Sequence, residues 1–228
     1  MGDTLNPYLE ALTYMAKRLG VYDDDHRIPC YGFGDVTTTR RSVFSFFRGS
    51  AHARGLEELV DRYRKIAPVV QMSGPTSFAP LIRQAMRDVY NSGMKFHVLL
   101  ILADGQVSQE CLEETKKAIV DACAFPLSIV MIGLGDGPWV DMNLFDGGLS
   151  ERAWDNFNFF EFDKVVKGTA SAAERRKEDK FEHHVLEELP EQYKHARTRA
   201  GVRNKANVSH YINAIPESVL LEPPTHFG

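Results

Sequence analysis

The sequence predicts an α/β fold, doubly wound around a mostly parallel sheet with helices on both faces. Two apolar runs, residues 96–103 and 127–134, are bounded by turn residues, as expected of strands buried on both faces of a parallel sheet. An amphipathic segment, residues 109–124, separates them. Strand, helix, strand in that order is the pattern of a parallel crossover unit. Both runs also end in glycine-containing turns, Asp104-Gly105 and Gly135-Asp136-Gly137, at the edge where open sheets of this kind bind ligands.

The other elements follow from local pattern. Tyr8, Leu12, Met15, Ala16 and Leu19 recur at helical spacing before Gly20, which predicts a helix over residues 7–19. Residues 28–33 read as a short buried strand ending at Gly34-Asp35, and residues 44–47 as a short edge strand. Leu56, Leu59, Val60 and Tyr63 mark a helix over residues 55–66. A further helix is expected over residues 76–91, with Pro80 tolerated in or near its first turn. A short helix near residues 139–145 and a last strand over residues 159–162 complete the alternation. Residues 174–194 form a charged helix with Phe181, Val185, Leu186 and Leu189 on one side. Two units are therefore expected: a domain over residues 1–195, and a flexible or locally docked tail over residues 196–228.

Composition narrows the function classes. At 228 residues, 43% apolar and 25% charged, the chain has the make-up of an ordinary folded domain. A net charge of -4 argues against a nucleic-acid binder. There is no run of about 18 apolar residues and no leader before Asn6, so neither a membrane span nor export is expected. Cys30, Cys111 and Cys123 show neither disulfide nor zinc-ribbon spacing, so an intracellular setting, cytoplasmic or nuclear, is expected.

The residues that carry chemistry lie in two short loops. Asp104 follows the first apolar run directly, and Thr76 sits in Gly74-Pro75-Thr76-Ser77-Phe78 at a predicted helix start. A carboxylate and a hydroxyl meeting at a sheet's carboxyl edge are oxygen donors suited to Mg2+, which prefers such ligands and keeps several waters. The ordinary alternatives are a turn aspartate and a helix-capping threonine. Asp35 ends a strand on the same edge and could lend charge, although a solvated turn residue is the plainer expectation. The Gly133 to Gly137 turn is interrupted by Pro138-Trp139 and does not open a long helix, so it does not read as a dinucleotide loop. No nucleophile motif or triad is present, and adjacent His183 and His184 cannot form a helical metal pair. His97 reads as a core histidine, and Trp139 and Trp154 as packing residues. An enzyme is not expected.

An ordered set of motifs resembles the copine-type von Willebrand factor A domain, including that of the copine-like RING ubiquitin ligases. The set runs through Asn6-Pro7-Tyr8, residues 28–35, residues 74–80, Ala103-Asp104-Gly105, residues 127–139, residues 152–157 and Leu189-Pro190-Glu191-Gln192-Tyr193. The resemblance implies an intracellular protein-binding module. Its metal ion-dependent adhesion site would lie at the carboxyl edge of the sheet, where a protein partner's carboxylate can complete the shell of a Mg2+ ion. Thr76 and Asp104 match two of its three ligand loops. The first loop, Asp-x-Ser-x-Ser at the end of the opening strand, has no counterpart here, so a partial site with weakly held Mg2+ is implied.

The same resemblance implies that a central first strand is missing, since residues 1–5 leave no room for one. Three arrangements would reconcile this with a folded sheet. The true start could lie upstream of Met1. The strands at 28–33 and 96–103 could close up. Or a strand from another chain, or from Ser218-Val219-Leu220-Leu221, could fill the gap. A role in substrate or partner recognition for ubiquitin transfer is the second functional expectation. No Cys/His array of a RING and no lipid-binding C2 domain is read in this sequence, so membrane docking is not expected.

Overall fold

The structure, a computed structural model, describes residues 6–20, 23–49, 52–166, 188–196, 198 and 205–224. Helix α1 (Pro7–Leu19) leads into β1 (Arg27–Pro29), β2 (Tyr31–Gly32), β3 (Val43–Ser45) and β4 (His52–Arg54). Helices α2 (Gly55–Ile66) and α3 (Ala79–Asn91) precede β5 (His97–Ala103), α4 (Leu112–Ala122) and β6 (Leu127–Gly133). Then come α5 (Val140–Gly147), β7 (Phe157–Glu161) and α6 (Phe162–Val166). Helical residues 188–196 are α7; α8 (Lys205–Ala214) and β8 (Leu220–Leu221) follow.

The chain is α/β, as its sequence predicts, but the strands fall into three small sheets. β5, β6 and β7 are parallel, with His97 opposite Leu127 and Ile129 opposite Phe157. β2 and β3 are antiparallel, and β8 adds parallel to β3. β1 pairs antiparallel with β4. The expected single strand at 28–33 is thus divided at Cys30 between two sheets. Direct pairing of this region with β5, one of the three arrangements considered, is not seen: no strand pairing joins β2 to β5 among the described residues. The segment considered as a filler does become a strand, yet β8 pairs with β3 and not with β5.

Several boundaries move for local reasons. α3 starts at Ala79 rather than 76, because Thr76 is tied into a loop and Pro80 occupies the first turn. The last strand is 157–161, and Phe162 already begins α6. Residues 174–187 of the expected charged helix, His183 and His184 among them, lie outside the described residues.

Both faces of the parallel sheet are covered. Leu99, Ile101, Ile129, Met131, Phe157 and Phe159 face the layer made by α3, α4 and α5. Val98, Leu100, Leu102, Val130, Ile132 and Phe160 face α1 and Leu189 of α7. Full burial of one such side chain is worth about 1.5–3 kcal/mol, so this double layer supplies much of the fold's stability. Asn158 fastens the second layer. Its side chain donates to Glu188 and accepts from Gln192 Nε2 at 2.8 Å. Both tryptophans are core residues, as expected. Trp154 donates to the Cys123 carbonyl at 2.8 Å. The Trp139 indole fills the space over Gly133, where a Cβ would stand 2.7 Å from the ring. The glycine turn after β6 therefore accommodates a tryptophan.

Candidate functional site

The carboxyl edge is assembled by backbone pairing between loops. Gly34-Asp35-Val36, just past β2, pairs with residues 71–73. Val36 N–H donates to the Gln71 carbonyl at 2.9 Å, and Ser73 N–H donates to the Gly34 carbonyl at 2.8 Å. Three residues later Thr76 is held by the loop after β5. Its N–H donates to Ser108 Oγ at 2.8 Å, and Ser108 N–H donates back to the Thr76 carbonyl at 3.0 Å. Asp104 opens that same loop. The structure thus brings the two predicted loops together, Thr76 half-buried and Asp104 exposed.

Asp104 has a neighbour that local sequence pattern does not reveal. The Tyr8 hydroxyl, from the first turn of α1, lies close enough to Asp104 to feel its charge. Burial and then the Asp104 charge push the Tyr8 hydroxyl far above its ordinary value. The Tyr8 ring stacks on Tyr63 of α2, centroids 6.4 Å apart and planes 24° from parallel. Periodicity marks Tyr8 only as a core position of an amphipathic helix. Its hydroxyl, the atom that matters here, leaves no trace in that pattern.

Two other acidic groups on this edge, Asp35 and Asp141, are engaged. Asp35 is buried, not the solvated turn residue expected. It accepts from Thr37 Oγ1 at 2.9 Å, from Thr38 N–H at 2.8 Å and from Thr38 Oγ1 at 2.5 Å. Asp141 of α5 accepts from Gln109 Nε2 at 3.0 Å, and its own N–H donates to Gln106 at 3.2 Å. Among the described residues no three histidine, cysteine or acidic side chains converge on a metal position. The donors on hand, one exposed carboxylate close to a tyrosine hydroxyl and one threonine hydroxyl, suit a hydrated Mg2+ ion held loosely. They do not make a chelating site.

A second polar group lies at the opposite end of the strands. Tyr31 of β2 donates to Asp88 Oδ2 of α3 at 2.8 Å, and Gln84 Nε2 donates to Asp88 Oδ1 at 3.0 Å. Burial raises the Asp88 carboxyl above its ordinary range, against the opposing effect of those two donors and of His97 and His52. Gln84 Oε1 is buried and has no donor among the described residues. His97 is half-exposed rather than core, its Nδ1 2.9 Å from the Lys95 carbonyl.

Between these two polar ends runs β5, and its hydrogen bonding is one-sided. His97 N–H donates to the Pro126 carbonyl, and the Ala103 carbonyl accepts from Leu134 N–H. Residues 97, 99, 101 and 103 therefore turn their backbone groups toward β6. In a strand the alternate residues turn theirs the other way. Val98, Leu100 and Leu102 accordingly present N–H and C=O groups on an edge with no strand partner among the described residues.

Comparison with known proteins now adds the family. The Copine family profile matches residues 1–205. The chain belongs to the copine family. It is 43% identical to the E3 ubiquitin-protein ligase RGLG5 of Arabidopsis thaliana, over 99% of this chain and 53% of the relative. With RGLG3 of the same organism the identity is 44%, over 85% of this chain and 55% of the relative. Copine family protein 1 of Caenorhabditis elegans is 41% identical over 83% of this chain, which corresponds to 17% of that relative. The chain thus spans about half the length of the plant relatives it matches. Among the described residues, no helix of this copine-family chain is long and apolar enough to cross a membrane.

Proposed function

We propose that this chain is a protein-recognition module of the copine type, acting inside the cell and reading partners at the carboxyl edge of its sheet. The observation that carries the reading is the reciprocal Thr76–Ser108 pairing. It holds a threonine hydroxyl beside the loop that exposes Asp104. A partner's carboxylate would approach this face through a weakly held Mg2+ ion, or a partner's donor would bind Asp104 directly. All three cysteines are buried thiols, which suits a reducing compartment.

The test is a Thr76→Ala, Asp104→Ala double variant, assayed with proteins cross-linked to the wild-type chain in cells. Loss of most of these partners is expected, and unchanged binding of all of them contradicts the reading. Mn2+ titration followed by electron paramagnetic resonance separates the metal from the surface. Weak binding, lost in the double variant, supports a bound ion.

A second reading is favoured by the identity with the ligases. In it the module selects substrates or partners for ubiquitin transfer carried out by other parts of a longer protein. The purified chain, mixed with activating and conjugating enzymes, is expected to build no ubiquitin chains; chain formation would overturn that division of labour. In either reading a strand from another chain can complete the sheet, which the one-sided pairing of β5 supports.

A further inference from the structure

Residues 205–221 lie across the domain as a strap. α8 packs on α3, and β8 pairs with the side of β3 that β2 leaves free, Val43 opposite Leu220 and Phe44 opposite Leu221. Val208, Tyr211, Ile212 and Ile215 stand at i, i+3, i+4 and i+7, the spacing of one apolar helix face. Val208, Ile215 and Val219 are buried in the core, and Tyr211, Ile212 and Leu220 pack against it. The Tyr211 ring meets Phe125 edge-on, centroids 6.0 Å apart. Lys205 Nζ stands 4.5 Å from the centre of the Tyr90 ring. Arg87 Nη2 donates to the carbonyls of Ile215 at 2.8 Å and Pro216 at 2.9 Å, just past the end of α8. Arg87 and Tyr90 belong to the second half of α3, and Phe125 precedes β6. The strap therefore lies toward the amino ends of β5 and β6, opposite the end that carries Thr76 and Asp104.

The strap is held more lightly than the layer it covers. α8 has ten residues, too few for a stable helix by itself in water, and Val208 is its one buried residue. β8 adds only two residues, both half-buried. α3 beneath them buries eight of its thirteen residues. A segment ordered in this way by its support opens as a local unit while the core stays folded. It also begins where the match to the copine profile ends, so it adds to the family's layers rather than forming one of them. The surface that it covers makes three demands on an occupant. Val43, Tyr90 and Phe125 need apolar cover, Arg87 needs carbonyl acceptors, and the β3 edge needs a backbone to pair with. A small apolar molecule meets only the first, whereas a polypeptide meets all three.

We propose that residues 205–221 mask a second partner site, and that the surface under them takes a segment of a partner polypeptide with the strap's own chemistry. That segment is a short helix with apolar residues at i, i+3, i+4 and i+7, followed by an apolar pair in extended form. The proposal deepens the protein-recognition reading, on which it rests for its biological sense, and it uses neither Thr76 nor Asp104.

The test uses the full chain and a labelled peptide of residues 205–222, with binding read by fluorescence anisotropy. A Val208→Asp, Val219→Asp variant, which dislodges the strap, should bind the peptide saturably. The wild type should bind it roughly tenfold more weakly or less, because its open state is only fractionally populated. A peptide carrying the same two Asp replacements should not bind. Amide exchange supplies the second measurement: in the wild type, α8 should exchange faster than β6 and with less dependence on urea, and β6 should stay protected in the variant. If β6 protection is lost and the variant is unfolded, the milder Tyr211→Ala takes its place. No binding by a folded variant, equal binding by variant and wild type, or α8 exchange that matches β6 overturns the proposal. So does α8 protection that rises with the concentration of the wild-type chain alone, which would make a second copy the occupant. If the Thr76→Ala, Asp104→Ala variant loses its partners while the strap variant binds no peptide, the carboxyl-edge reading stands and the strap proposal falls. If the peptide binds while the Thr76→Ala, Asp104→Ala variant keeps every partner, the strap proposal stands and the carboxyl-edge reading falls.

Discussion

β5 and β6 are neighbouring seven-residue strands of similar composition, His-Val-Leu-Leu-Ile-Leu-Ala and Leu-Ser-Ile-Val-Met-Ile-Gly. β6 is paired on both sides and all seven residues are buried. Among the described residues β5 is paired on one side, and five of its seven residues are only half-buried. Hydropathy does not account for the contrast, since both strands are apolar almost throughout. The difference lies in the number of strand partners. An apolar strand with a free row of backbone groups is what soluble proteins usually cover, shorten or charge. Here it carries no charged residue from Val98 to Ala103.

The contrast can be broken most easily through stability. Ile129→Ala on β6 removes a fully buried side chain and is expected to cost about 2–5 kcal/mol, whereas Leu100→Ala on β5 should cost less than half as much. Urea unfolding measures both, and equal losses would mean that β5 is as enclosed as β6. Asn158→Ala tests the layer that covers the α1 side. It leaves Gln192 and Glu188 without this partner and should cost about 1–3 kcal/mol. A loss confined to α7, seen as faster exchange there with β6 unchanged, would show that α7 is a separable cover.

The Gln84–Asp88 pair on α3 sharpens the comparison through pH. Burial raises the Asp88 carboxyl in the folded chain, so the folded state holds that proton more tightly than the unfolded one. The resulting stability is fully present below about pH 4, the unfolded value, and is lost as pH rises through the raised folded value. Asp88→Asn stays neutral and should flatten this decline in a series of unfolding curves from acid to neutral pH; an unchanged slope would assign the decline to other groups. The smallest effect is expected at the rim. Arg87 donates to the carbonyls of Ile215 at 2.8 Å and Pro216 at 2.9 Å. Arg87→Ala should cost about 1 kcal/mol and speed exchange in α8, with β5 unaffected.

How much of this is legible in the sequence depends on range. α1 and α2 follow from residues three and four apart, and the apolar runs of β5 and β6 are visible at once. β4 escapes because His52-Ala53-Arg54 offers a single apolar residue. β7 reads two residues late because Asn158 interrupts its pattern, although that asparagine is buried and bonded to α7. At the candidate site the two loops can be picked out, but Tyr8 cannot, since it reaches Asp104 from a distant part of the chain. Gln84 and Asp88 do leave a signal, a polar pair four residues apart on an otherwise apolar helix face. Whether β5 is paired on its second side is a property of topology, and composition is silent on it.

The central claim is that, among the described residues, β5 has a strand partner on one side only. Residue-resolved amide exchange on the free chain tests it most directly. The account predicts alternation along β5, with Val98, Leu100 and Leu102 exchanging fast while Leu99 and Ile101 are protected, and uniform protection along β6. Uniform protection along β5 as well would contradict it, because some segment would then already be paired there.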